Sequence, residues 1–65
     1  MTIADAQAAV EAIRRLDAIH DDYSAHVFEV GLWKHVLREI AEGSADSTEL
    51  ARIALTTDEI DFLRW

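Results

Sequence analysis

Two histidines and a glutamate, His20, His26 and Glu29, come nearest to a chemical site in this chain. His26 and Glu29 stand three positions apart, so on a helix they lie one turn apart on the same face. If the chain folds back between residues 20 and 24, His20 joins them near the turn, with Asp22 and Tyr23 close by. Two imidazoles and a carboxylate suit Zn²⁺ or another divalent ion, and a homodimer would present the set twice. The spacing lacks the Glu-x-x-His pairs of helical di-metal bundles. The same residues also read as a hydrogen-bonded polar cluster beside a solvated turn, or as a titratable interface whose histidines gain charge at about pH 6.5. The polar cluster is the favoured reading, and no cofactor is expected.

Other reactive patterns are sparse. His35 falls on a polar arc with Lys34, Arg38, Glu39 and Glu42 and reads as a solvated side chain. The chain has no cysteine, and neither a glycine-rich phosphate loop nor a nucleophile elbow occurs. The acidic pairs Asp21/Asp22 and Asp58/Glu59 sit where helix caps and first-turn acids belong. Enzyme activity is therefore not expected. Lys34 and Arg38 are four apart and lack the acid three residues upstream that Arg14, Arg52 and Arg64 have in Glu11, Glu49 and Asp61.

Charge excludes further classes. Thirteen acids against six bases leave a net charge of −7. Binding nucleic acid or an anionic membrane surface needs the opposite sign. No apolar run reaches the ~18 residues of a membrane span. The first residues carry no basic segment leading into an apolar stretch, so the cytoplasm is the expected location. An acidic surface suits a basic protein partner.

These residues must be positioned by helices. Proline is absent and glycine occurs only at positions 31 and 43, which leaves few breakers. Thr2, with Asp5 three residues on, predicts a capping box for a first helix over about residues 3–20. Its apolar side runs through Ala6, Ala9, Ile13, Leu16, Ile19 and Tyr23. A second helix over about 24–42 stops at Gly43, a favoured residue just past a helix end. No glycine or proline enforces the joint at residues 20–24. A continuous helix would carry an alternating seam of three and four through Ala6, Ala9, Ile13, Leu16, His20, Tyr23, Val27, Val30, Lys34, Leu37 and Ala41, which the polar His20 and Lys34 interrupt. Asp22 and Ser24, which favour caps, select the hairpin. Asp46 and Glu49 start a short helix over about 47–55. Thr56 and Glu59 start another over about 57–64.

The expected fold is thus all-α, a helical hairpin with one or two short C-terminal helices in a single domain, completing a bundle by dimerisation. At 65 residues and without disulfides, burial and chain entropy come out near balance. The second helix is apolar over more of its circumference than one neighbour covers. Phe28, Trp33, Val36, Ile40, Phe62 and Trp65 are the expected interface. The expected function is a non-enzymatic interaction or regulatory module acting as a homodimer or higher oligomer. A metal- or pH-responsive bundle and an accessory subunit of a larger enzyme are the alternatives.

Overall fold

The computed structural model describes residues 1–64; Trp65 lies outside the described residues. Helix α1 spans Ile3–Ala18. The capping box forms as the sequence predicts: the Asp5 amide donates to Thr2 Oγ1 at 3.1 Å, and the Thr2 amide donates to Asp5 Oδ2 at 3.0 Å. These bonds satisfy two of the amides that a helix start leaves without partners. Ala6, Val10 and Ile13 face inward at helical spacing.

The hairpin forms, and the long-helix alternative is excluded. Helix α1 ends in a Schellman motif. The His20 amide donates to the Asp17 carbonyl and the Asp21 amide to the Leu16 carbonyl, both at 2.9 Å. His20 takes the left-handed position, with φ 60°. Asp21 then opens helix α2, Asp22–Ala41, by accepting the Ser24 amide on its carboxylate at 3.2 Å. The joint therefore needs no glycine, and its cap is Asp21 rather than Asp22 or Ser24. Helix α2 ends in the same motif, with Gly43 at φ 79° in the position His20 occupies after α1. There the Gly43 amide donates to the Ile40 carbonyl at 3.1 Å and the Ser44 amide to the Glu39 carbonyl at 3.0 Å.

Helix α3 spans Ser47–Leu55, at the expected bounds but by another device. The Asp46 side chain makes no cap bond. The turn before it is closed by Ser44, whose hydroxyl oxygen accepts the Asp46 amide at 3.2 Å and whose carbonyl accepts the Ser47 hydroxyl at 2.6 Å.

The fourth helix is corrected. Thr56 does not cap a new helix; Thr56–Glu59 form a 3-10 turn that continues from α3. The Thr56 and Thr57 hydroxyls donate backward, to the carbonyls of Ile53 and Ala54 at 2.6 and 2.9 Å. They satisfy the end of one helix rather than the start of another. Beyond them the chain is a non-helical strap over residues 60–64, with Ile60 extended and both Ile60 and Phe62 buried. The Phe62 amide donates to the Ile60 carbonyl at 3.2 Å, a tight turn about Asp61 that leaves both apolar side chains in the core.

The strap completes the core. Val10 and Ile13 of α1, Leu32 and Val36 of α2, and Leu50 and Ile53 of α3 are buried with Ile60 and Phe62. No helix among the described residues is long and apolar enough to cross a membrane. Because a side chain in the left-handed region is strained, His20→Gly is expected to raise stability by up to about 1 kcal/mol. Urea unfolding of the two proteins checks this, and a lowered midpoint would contradict the cap.

Candidate functional site

Glu29 places a carboxylate on the inward side of α2, and only 6% of the residue is exposed. It is held by Arg64 from the strap. Arg64 Nε donates to Glu29 Oε1 and a terminal guanidinium nitrogen donates to Oε2, each at 2.8 Å. That same nitrogen donates to the Thr57 carbonyl at 2.8 Å, and the guanidinium lies 3.9 Å from the centre of the Phe62 ring. A bidentate pair of this kind fixes geometry as well as charge. Of the three arginines with an acid three residues upstream, Arg14 and Arg52 do approach Glu11 and Glu49, each at 3.7 Å. Arg64 reaches across the fold instead.

This arrangement decides where the expected metal set lies. Glu29 is committed to Arg64. His26 is close enough to favour its charged form. His20, at the turn, lines an open cleft of about 620 Å³ with Asp17, Asp22, Asp61 and Arg64. Among the described residues, no group of three or more His, Asp or Glu side chains is placed to hold a metal ion. His35 stands exposed beside Glu39, with Nε2 3.8 Å from its carboxylate.

The expected interface residues divide. Val36 and Phe62 are buried within the single chain. Trp33 is partly exposed and tethered. Its indole Nε1 donates to the Ala54 carbonyl at 3.1 Å and to Thr57 Oγ1 at 3.0 Å. Phe28 and Ile40 remain exposed. Trp33 and Ile40 border an apolar groove of about 190 Å³ between α2 and α3, lined also by Val36, Leu37, Ala51, Ala54 and Leu55.

The groove adjoins a longer feature. Tyr23, Val27, Val30 and Leu37 are 67%, 47%, 37% and 63% exposed. With Lys34 and Ala41, also exposed, they form the alternating seam read from the sequence, now on the solvent side of α2. Gly31 lies beside this seam, and a Cβ placed there would meet nothing within 4 Å. Glycine within a helix costs about 1 kcal/mol relative to alanine, and nothing in the monomer requires it. Neither Lys34 nor Arg38 forms an ion pair among the described residues.

No family model matches the chain, and no curated protein or solved structure matches it either.

The Arg64 guanidinium holds the Glu29 carboxyl below its ordinary 4.5; the Thr57 hydroxyl acts in the same direction and burial opposes both. A carboxylate lowered by folding adds stability above its unfolded pKa, and that stability fades as pH falls through the lower folded value. Arg64→Ala is expected to cost about 1–3 kcal/mol at neutral pH, because Glu29 loses its charged partner. The deficit should shrink on acidification below pH 4.5. Urea melts at several pH values check this; a deficit independent of pH would show that the pair is not its source.

Proposed function

We propose that this chain is a non-enzymatic protein-interaction module that works in assembled form, with the outer face of α2 as its working surface. The observation that carries this reading is the exposed seam of Tyr23, Val27, Val30 and Leu37. A helix of 20 residues offering such a seam matches the geometry by which one helix packs along another. An apolar face continuous with an apolar groove is the usual mark of a protein contact. The surface as a whole carries the net charge of −7, which steers an assembly toward basic protein surfaces.

Molar mass measured across concentration, with helicity by circular dichroism, tests the proposal. The expected result is a mass above that of the monomer at micromolar concentration. Leu37→Glu should return the protein to monomer with its helicity retained, since Leu37 is exposed in the single chain. A wild-type protein that stays monomeric and binds no helical partner would overturn the reading.

A further inference from the structure

Residues 60–64 are held on the helices by side chains. The backbone bonds of the strap are local, from the Ile60 amide to the Thr57 carbonyl and from the Phe62 amide to the Ile60 carbonyl. Among the described residues, no backbone hydrogen bond joins it to α1, α2 or α3. Its grip is a set of alternate anchors: Ile60 and Phe62 are buried, and Arg64 is forked on Glu29. Asp61 and Leu63, between them, are exposed. This is the pattern of a short peptide seated in a groove, where an aromatic residue and an arginine supply most of the hold. We propose that the strap is a built-in ligand, filling a docking groove that also takes a segment of a basic protein with the pattern apolar-x-aromatic-x-arginine. The inference goes beyond the outer face of α2 and stands independently of it.

Glu29 dictates the arginine. Without the strap, its carboxylate would lose its cation in a largely apolar setting, a costly state. The strap therefore gives way to a segment that brings a cation of its own. Lysine is a point charge and lacks the two-pronged donor that both oxygens of Glu29 receive. The aromatic residue two positions earlier follows from the same contact, since the Arg64 guanidinium lies 3.9 Å from the centre of the Phe62 ring.

The open cleft beside the strap specifies the rest of the partner. Asp17 near the end of α1, Asp22 at the start of α2 and Asp61 line it with His20 and Arg64. Asp61 favours the charged form of Arg64, but that guanidinium is committed to Glu29. Neither Asp17 nor Asp22 forms an ion pair among the described residues. The strap thus sets an acid where the cleft calls for a cation, and a lysine in place of Asp61 makes the better ligand. A tethered segment competes at an effective concentration on the order of millimolar. The poor fit of Asp61 is what lets an untethered basic segment displace it, and the acidic rim steers that segment in.

The test is a dye-labelled, C-terminally amidated peptide of residues 60–64 carrying Asp61→Lys, titrated with the full chain and followed by fluorescence anisotropy. It should bind at least tenfold more tightly than the peptide of unaltered sequence. Adding Arg64→Lys to the peptide keeps its charge but removes the fork, and should weaken binding at least tenfold. In the full chain, Asp61→Lys makes the tethered strap the better ligand. That variant, altered at an exposed position, should keep its helicity and bind the Asp61→Lys peptide at least tenfold more weakly than the unaltered chain does. If the unaltered peptide bound as well as the Asp61→Lys form, the strap of a second copy would suit the groove equally, and the basic partner would be overturned. Binding that ignores the peptide's Arg64→Lys change, or is the same for both chains, would place the contact outside the groove and overturn the inference. No binding at millimolar peptide would overturn it too. These outcomes are distinct from the molar mass that tests the outer face of α2.

Discussion

Glu29 and Arg64 stand 35 positions apart in sequence, and their contact binds the strap to α2. Residues 60–64 form no helix, so they hold their place by burial and by this pair. Arg64 joins Glu29 to the Thr57 carbonyl, while the Thr57 hydroxyl receives the Trp33 indole. One short polar network thus ties α2, the end of α3 and the strap together. Burying a carboxylate is costly unless it is paired and hydrogen-bonded, so Glu29 also opposes any arrangement that removes the strap. Ile60 and Phe62 supply the apolar half of the same closure.

With α1, α3 and the strap on its inner side, α2 has divided duties. Ala25, Leu32 and Val36 serve the core. The seam from Tyr23 to Ala41 faces away from it. Apolar residues on both sides explain why this helix is hydrophobic around so much of its circumference. The two roles meet at Trp33, whose polar edge is anchored inward while part of its ring remains accessible.

Local signals in the sequence located most of the fold. Thr2 with Asp5 and Gly43 act through neighbours within a few residues, and the helix bounds follow from them. His20 gave no such signal, because a histidine in the left-handed region is selected by the cap bonds around it rather than by its own preference. The C-terminal threonines misled for a related reason: their hydroxyls can serve the helix behind as readily as one ahead. The site was less legible than the fold. Glu29 was recognisable as a carboxylate on an apolar arc, but its partner is set by tertiary packing that no spacing rule reports. The same packing buries Val36 and Phe62 within the single chain.

Asp21 closes α1 with its amide and opens α2 with its carboxylate. The hairpin therefore has no spare residue in its corner, and the corner fixes the rotational phase of α2 as well as its direction. Each residue added to a helix rotates the remainder of that helix by about 100°. An insertion at this corner would swing Glu29 away from Arg64 and turn the outer seam toward the core. Which side of the longest helix faces outward is thus decided at a single residue, in the same place that sets the bend.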